Sequence, residues 1–238
     1  MSDLKNKNVF ISGISRGIGK ALALKLAEQG CNIFGVSKSV DNLKKLEIEL
    51  NNKNIKTQLF SGDVGNYEEM KTIAEKILSN QTIDILINNA GLGIAKNFVN
   101  YSYDEFDRLF RTNVYGVFNL THLFLPEMIK QNYGDIVIIS SLAGKNGFVG
   151  GTGYSASKFA LTGFAQSLML EVRKYNVRVC IIHPGSVNTD MITEFHPENL
   201  DRERILQPDD IAETVLTFLK LPRRSMLSEL EIRPTNPR

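Results

Sequence analysis

Cysteine and histidine are scarce in this sequence, which has two cysteines and three histidines among 238 residues. Cys31 and Cys180 lie at the edge of, or within, apolar strand-like patterns, and neither has a cysteine or histidine nearby at metal-ligand spacing. His122, His183 and His196 form no evident cluster. The sequence therefore predicts two thiols that pack in the core, and no metal site.

The sequence also lacks a charge imbalance and a long apolar run. Its net charge is +2 at pH 7, which predicts no polyanionic partner. No apolar run approaches the ~18 residues of a membrane-spanning helix. Residues 1–7 lead into a strand without the hydrophobic region of a signal peptide. We therefore expect a cytoplasmic protein without a nucleic-acid or membrane partner.

Short apolar runs alternate with amphipathic segments along the whole chain. Residues 9–11, 85–87 and 136–139 are examples of such runs, and each is followed by a turn and a helical pattern. This alternation is typical of a doubly wound parallel sheet with right-handed crossovers. The length suits one large domain better than two. We predict a single α/β domain over residues 1–238.

A glycine-rich turn follows the first apolar run and leads into a helical pattern. Gly13, Gly17 and Gly19 give the spacing G-x-x-x-G-x-G. Strand, glycine turn and helix form the context of a dinucleotide-binding fingerprint, because glycines let the backbone approach a pyrophosphate at the positive end of a helix. A plain tight turn is the alternative interpretation. If a cofactor binds here, Ser15 and Ile18 are also expected to contact it.

The end of the second predicted strand carries a cation. In an enzyme for NAD, an acidic residue near this strand end binds the ribose 2′-hydroxyl. Here Lys38 occupies that place after Ser37, and Arg16 of the glycine turn is expected to reach the same group from the other side. Asp41 suits a helix-opening role. The pattern predicts the 2′-phosphate of NADP; two surface cations without a ligand are the alternative.

Tyr154 and Lys158 are four residues apart in a predicted helix. This step places both side chains on one face, about 5–6 Å apart at Cβ. A neighbouring ammonium stabilises a phenolate, so we expect a lowered pKa for Tyr154 and a role in general acid–base chemistry. Ser141, at the end of the run 136–139, is expected to bring a hydroxyl to the same place. A Tyr-x-x-x-Lys spacing also arises by chance.

Together these motifs resemble the short-chain dehydrogenase/reductase family over almost the whole chain, with Ser12 where threonine is usual. The resemblance implies a Rossmann-type fold, NADP as the cofactor, and hydride transfer between the nicotinamide and a carbonyl or alcohol carbon. It implies that the cofactor contacts outside the turn are Asp63 and Val64 at the adenine, Asn89, Ala90 and Gly91 beside the central strand, Tyr154 and Lys158, and Pro184, Gly185, Val187 and Thr189 at the nicotinamide.

The resemblance also assigns a catalytic set, Asn113, Ser141, Tyr154 and Lys158. It implies that Tyr154 donates a proton to the developing alkoxide, that Ser141 hydrogen-bonds the same oxygen, and that Lys158 lowers the pKa of Tyr154 and holds the nicotinamide ribose. Asn113 would anchor a water beside Lys158 through a distortion of the helical stretch 104–130. The presence of all four residues favours an enzyme over a non-catalytic NADP-binding sensor or scaffold.

The substrate is less closely defined. Many family members are 3-oxoacyl-acyl-carrier-protein reductases, but the two basic docking positions of those enzymes fall here on Asn132 and Tyr175. The carboxyl-terminal sequence is more similar to bacterial sepiapterin reductases and hydroxy-acid dehydrogenases. Apolar segments flank the expected site, so we predict a small to medium, largely apolar carbonyl substrate. They are residues 93–95, 142–143, 148–149 and 191–195, with 191–200 as a mobile lid.

The helix after Tyr154 is apolar over more of its circumference than one sheet contact needs. Together with the helical stretch 104–130, it resembles the helix-pair interface of the family. We therefore expect a homodimer or a homotetramer, of which this pattern favours the tetramer. The apolar residues of the helix are Phe159, Ala160, Leu161, Phe164, Ala165, Leu168, Met169 and Leu170.

Overall fold

The computed structural model describes residues 3–195 and 201–236. Its centre is a seven-stranded parallel sheet in the order β3-β2-β1-β4-β5-β6-β7. The strands are β1 Asn8–Ser12, β2 Asn32–Ser37, β3 Thr57–Ser61, β4 Ile85–Asn88, β5 Gly134–Ile139, β6 Val177–Pro184 and β7 Glu229–Ile232. The helices are α1 Gly17–Glu28, α2 Val40–Asn51, α3 Tyr67–Leu78, α4 Tyr103–Phe110, α5 Gly116–Lys130, α6 Thr152–Val172 and α7 Pro208–Lys220. This is the predicted doubly wound Rossmann-type fold.

Helices cover both faces of the sheet and form two hydrophobic cores. On one face α1, α2 and α7 pack on the strands, with Leu22, Leu46 and Phe218 fully buried. On the other face α3, α5 and α6 pack through residues such as Phe124 and Leu161. Strands β4, β5 and β6 are buried at every residue. Their continuous apolar runs follow from this double coverage, because neither side of a central parallel strand faces water.

The helical stretch 104–130 is divided into three parts. Helix α4 ends at Phe110, residues Arg111–Tyr115 form a π-helical turn, and α5 begins at Gly116. The predicted distortion around Asn113 is therefore confirmed. Short π-helical segments inside helices are frequent at functional sites because the extra residue turns side chains in new directions.

Two helices begin at residues slightly different from those expected. Ser39, rather than Asp41, caps α2, because the Ser39 hydroxyl accepts a hydrogen bond from the Asn42 N–H; Asp41 lies in the first turn. Helix α6 begins two residues before Tyr154, and a 3-10 turn, Arg173–Tyr175, follows it. Among the described residues, no helix is long and apolar enough to cross a membrane.

Candidate active site

A cleft of about 1380 Å³ lies at the carboxyl ends of the strands. Strand order changes direction between β1 and β4, because β2 continues the sheet on one side and β5 on the other. Ligands of open parallel sheets bind in the crevice that such a reversal creates. The cleft is lined by the glycine turn after β1, the strand ends of β2, β4, β5 and β6, and the first turns of α6.

The glycine turn has a backbone that only glycine fits. Gly13 and Gly17 have φ values of +66° and +52°, and a Cβ on Gly19 would lie 2.2 Å from the Gly13 carbonyl oxygen. No described side chain caps the start of α1, so its first N–H groups face the cleft. This cradle fits the pyrophosphate of a dinucleotide.

Ser12 and Asn89 join the glycine turn to the segment after β4. The Ser12 hydroxyl accepts hydrogen bonds from the N–H groups of Asn89 and Ala90, both at 3.0 Å. The Asn89 amide donates to the carbonyls of Ser12, at 3.0 Å, and Gly13, at 3.2 Å. These hydrogen bonds need only a hydroxyl, so Ser12 makes them as the usual threonine would. The Asn89-Ala90-Gly91 segment therefore lies against the glycine turn.

Both cations predicted for the 2′-phosphate make ion pairs inside the chain. Lys38 Nζ lies 2.7 Å from Asp63 Oδ2, and Arg16 Nη1 lies 3.0 Å from Asp190 Oδ2. Partial burial acts to raise the pKa of Asp63, but hydrogen bonds from Lys38 and the Gly65 N–H outweigh this effect and lower it. The side chains of Arg16, Lys38 and Asp190 are largely exposed, and that of Asp63 is partly buried. An incoming phosphate would therefore compete with carboxylates for two accessible cations.

Two hydroxyls lie beside these cations. The hydroxyls of Ser15 and Ser37 are 2.7 Å apart, and they bridge the glycine turn and the end of β2. Val64 is buried next to Asp63, and its carbonyl accepts a hydrogen bond from the amide of Asn119 in α5. The predicted adenine and 2′-phosphate residues therefore come together at one end of the cleft.

The predicted catalytic residues come together at the other end. Tyr154 is 6% exposed and Lys158 is 4% exposed. Lys158 Nζ lies 5.7 Å from the centroid of the Tyr154 ring and donates a hydrogen bond to the Ile139 carbonyl. The Ser141 hydroxyl lies beside the Tyr154 phenol and acts to lower its pKa. The Ser141 hydroxyl and the Tyr154 phenol therefore line the same part of the cleft.

Burial dominates the acid–base properties of this pair. It raises the pKa of Tyr154 to about 12, although the neighbouring Ser141 hydroxyl acts in the opposite direction. It lowers the pKa of Lys158 to about 8. The prediction that Lys158 lowers the pKa of Tyr154 below its usual value is therefore wrong, because burial destabilises the phenolate and the ammonium alike.

Asn113 holds the loop after β4 beside the catalytic pair. Its Oδ1 accepts a hydrogen bond from the Leu92 N–H at 2.7 Å, and its Nδ2 donates to the Leu92 carbonyl and the Ser157 hydroxyl, both at 2.9 Å. A Cβ on Gly91 would lie 3.7 Å from both Asn113 Oδ1 and Lys158 Nζ. These two polar atoms thus adjoin one space, and the water predicted there stays a prediction.

The segment after β6 passes over the glycine turn. Thr189 Cγ2 lies 3.1 Å from the place of a Cβ on Gly17. Gly185, which follows Pro184, donates its N–H to the Ile232 carbonyl at 2.8 Å, and Val187 is buried. The segment 184–189, which is predicted to contact the nicotinamide, therefore lies between the glycine turn and Ser141.

A family model described as short chain dehydrogenase matches residues 7–200. This match spans most of the chain, including the glycine turn and all four predicted catalytic residues. The chain belongs to the short-chain dehydrogenase family.

Similar proteins include reductases with different cofactors. The 3-oxoacyl-[acyl-carrier-protein] reductase FabG of Buchnera aphidicola is 32% identical, over 95% of this chain and 94% of the relative. A metagenomic short-chain oxidoreductase, solved in complex with NADP, is 32% identical with a TM-score of 0.86, over 99% of this chain and 100% of that one. A 3-oxoacyl-[acyl-carrier protein] reductase from Brucella melitensis, solved with bound NAD, is 26% identical with a TM-score of 0.85, over 97% and 90%. This short-chain dehydrogenase is an oxidoreductase.

Aromatic side chains cover the phenol of Tyr154 in this short-chain dehydrogenase. The ring centroids of Phe195 and Tyr154 are 4.8 Å apart, and those of Phe195 and Phe148 are 6.0 Å apart. A Cβ on Gly93 would lie 2.8 Å from the Phe195 ring, so the glycine makes room for it. Part of the predicted lid, residues 196–200, lies outside the described residues.

Sequence reasoning missed two buried polar residues of the site. Asn119 holds the Val64 carbonyl, and His183 lies behind Ser141. Each has a signal in the sequence, since each is a polar residue in a largely apolar strand or helix face that packs on the sheet. Buried polar side chains need partners, so such positions indicate bonds between distant parts of the chain.

Proposed function

We propose that this short-chain dehydrogenase is an NADP-dependent carbonyl reductase, which transfers a hydride between the nicotinamide and a carbonyl or secondary alcohol. The observation that carries the proposal is the buried Tyr154 phenol with Ser141 and Lys158 beside it in the cleft. When bound, the nicotinamide supplies the hydride to the carbonyl carbon. The glycine turn, Asp63, Val64 and the segment 184–189 would hold the cofactor.

The chain supplies the proton and binds the oxygen. A phenol with a pKa of about 12 stays protonated at neutral pH, so Tyr154 is available as the general acid in reduction. Ser141 orients the carbonyl oxygen by a hydrogen bond to it. Lys158 places a positive charge near the phenolate that forms, which favours proton release in the transition state more than in the free protein.

Substitution of Tyr154 tests this proposal and separates an enzyme from a cofactor-binding sensor or scaffold. Tyr154→Phe keeps the ring and removes the proton donor, so we expect turnover with NADPH to fall by ~10²–10⁴ while NADPH affinity stays nearly unchanged. The control is Tyr133→Phe, because Tyr133 directly precedes β5 at the amino ends of the strands, away from the cleft. A panel of acetoacetyl thioesters, sepiapterin and diketones with NADPH, and of 3-hydroxy acids with NADP⁺, provides the assay. Half of the parent activity in the Phe variant would contradict the proton-donor role.

A preference for NADP is supported by the charges at the adenine end. Arg16 and Lys38 provide two exposed cations, and Ser15 and Ser37 provide hydroxyls beside them. The 2′-phosphate of NADP is close to doubly charged at pH 7 and replaces two single carboxylates as their partner. We therefore propose that the protein binds NADP in preference to NAD through these residues.

The walls near Tyr154 favour a small to medium, largely apolar substrate. Leu142, Ala143, Phe148, Met191 and Phe195 line this end of the cleft. Apolar walls bind apolar groups and leave orientation to the few polar atoms, here those of Ser141 and Tyr154. A carbonyl compound whose substituents carry no charge suits this volume.

A 3-oxoacyl-acyl-carrier-protein reductase is the second candidate, since a FabG relative is 32% identical over nearly the whole chain. The docking positions of such enzymes hold Asn132 and Tyr175 in this chain, which favours a free substrate. We expect kcat/KM for an acetoacetyl group on a carrier protein to lie within tenfold of the value for the same group on N-acetylcysteamine. A preference of a hundredfold for the carrier would reverse the choice.

We also propose a homodimer or homotetramer that works in the cytoplasm. Exposed apolar side chains on and next to α5 and α6 support the assembly, among them Tyr115, Phe118, Phe159 and Leu170. The cellular location stays a prediction, which fractionation of cells would test.

A further inference from the structure

His183 lies behind the catalytic serine, at the end of β6, and is fully buried. Its Nδ1 is 3.0 Å from the Ser141 carbonyl oxygen. A carbonyl oxygen accepts hydrogen bonds and cannot donate them, so Nδ1 carries the proton. The same oxygen accepts from the Gly144 N–H at 2.8 Å. Both lone pairs of the Ser141 carbonyl are therefore engaged.

The other side of the imidazole faces the last strand. His183 Nε2 lies 3.3 Å from Glu229 Oε1 and has no hydrogen-bond partner among the described residues. Burial lowers the pKa of His183, although its bond to Ser141 and the charge of Glu229 act against this. A hydrogen bond from Lys145 lowers the pKa of Glu229. The imidazole is thus neutral at neutral pH, with its proton on the serine side.

Lys145 fastens the other end of the serine turn. This turn begins at Ser141, continues as a 3-10 turn over Leu142–Gly144 and reaches Lys145. Lys145 Nζ lies 2.9 Å from Glu229 Oε1 and 2.6 Å from Glu231 Oε1. The turn is therefore attached at its first residue to β6 and at its last residue to β7.

We propose that His183 is a positioning residue for catalysis, which with Lys145 and Glu229 braces the turn that carries Ser141. The Ser141 hydroxyl oxygen accepts a hydrogen bond from the Ala143 N–H at 3.1 Å, and the hydroxyl lies beside the phenol of Tyr154. Rotation of its backbone would turn that hydroxyl away from the phenol. The proposal rests on the proposed function, because Ser141 matters here as the group that orients the carbonyl oxygen.

Two substitutions of His183 separate positioning from packing. His183→Leu fills the space without a donor, and we expect kcat to fall about tenfold, equivalent to about 1.4 kcal/mol, with NADPH affinity within twofold of the parent. His183→Asn places an amide nitrogen where Nδ1 lies, so it is expected to keep kcat within threefold. Equal losses in both variants would show that packing alone matters and would overturn the proposal.

Lys145→Met tests the brace from the surface, in a variant that keeps the core intact. We expect faster amide hydrogen exchange at Ala143 and Gly144 and a smaller loss of kcat than in His183→Leu. Lys53→Met removes a comparable surface ion pair with Glu28 and is the matched control. Unchanged exchange of the serine turn in both Lys145→Met and His183→Leu would overturn the proposal.

The exchange measurement needs no substrate, so failure of the brace and failure of the proposed function are distinguishable. If the parent reduces none of the panel with NADPH, the proposed function fails, and positioning for catalysis fails with it, even where exchange shows that the brace exists. If the parent is active and Tyr154→Phe is not, the function stands, and the His183 and Lys145 variants decide the brace alone.

Discussion

At the scale of single residues, the site contains one cation that is buried away from water and two that are exposed and paired with carboxylates. Lys158 is buried with a hydrogen bond to one carbonyl, and its pKa is lowered to about 8 from its usual 10.5. Lys38 and Arg16 are exposed and share their charge with Asp63 and Asp190. We therefore expect the buried cation to affect stability and the exposed cations to affect the choice of cofactor.

The buried ammonium gives a pH-dependent stability. Below pH 8 both folded and unfolded chains hold the proton, and burial of the charge lowers the free energy of unfolding. Between pH 8 and 10.5 only the unfolded chain still binds it, so stability rises with pH. Lys158→Met removes the charge, and its stability relative to the parent is expected to fall by roughly 3 kcal/mol over that interval. Urea unfolding of both proteins at pH 7 and pH 10.5 measures this; a constant difference would contradict it.

The exposed cation Lys38 is expected to set cofactor preference. Charge-assisted hydrogen bonds contribute about 1.5–3 kcal/mol each, so losing one weakens NADPH by roughly 10- to 150-fold at ~1.4 kcal/mol per tenfold. Lys38→Asp also adds repulsion next to Asp63, so we expect the preference to shift towards NADH. The measurement is the ratio of kcat/KM for the two cofactors, with Lys53→Asp as the control. A parent enzyme that favours NADH would refute the assignment.

At the scale of elements, the turn between β1 and α1 has little room for side chains. Gly13 and Gly17 have left-handed backbone, and a Cβ on Gly13 or Gly19 would lie 2.9 Å or 2.2 Å, respectively, from a backbone atom. Ser12 and Asn89 then tie the turn to the end of β4. A change within the turn therefore shifts two strand ends together.

Gly19→Ala tests this element. The added Cβ would lie 2.2 Å from the Gly13 carbonyl oxygen and 2.6 Å from Asn89 Nδ2, and the first of these is a backbone atom that cannot rotate away. We expect a lower melting temperature and at least tenfold weaker NADPH binding by calorimetry. Gly147→Ala, with nothing within 4 Å of the new Cβ, is the control. Parent-like binding in Gly19→Ala would show that the turn adjusts.

At the scale of the whole molecule, the α5 and α6 pair has an apolar face that is exposed to solvent. Leu161, Leu168 and Val172 of α6 pack on the sheet, whereas Phe159 is 45% exposed and Leu170 57% exposed. Phe118 of α5 is 49% exposed. A second copy of the chain is the partner that the family resemblance predicts for this surface.

Phe159→Glu is expected to weaken that assembly. A carboxylate in a desolvated interface is costly, so light scattering at micromolar concentration should show a shift from oligomer towards monomer. Ile48→Glu is the matched control, because Ile48 is 67% exposed on α2, away from this surface. A monomeric parent at the same concentration would disprove the assembly.

The sequence by itself determined the order of strands and helices, the glycine turn and the Tyr154/Lys158 spacing. These features depend on local periodicity and on backbone conformations that few residues adopt. Even the distortion at Asn113 was visible, because asparagine and glycine are costly inside a helix. Local patterns of this kind are present before the chain folds.

Tertiary structure alone decided the environment of those residues. The raised pKa of Tyr154 depends on which elements bury it, and the pairing of Arg16 with Asp190 joins residues 174 positions apart. The contact of His183 with Ser141 likewise needs β5 and β6 to be neighbours. Desolvation and ion pairing depend on the distances between residues in the folded protein. The linear pattern does not contain these distances, because they are set only when the sheet assembles.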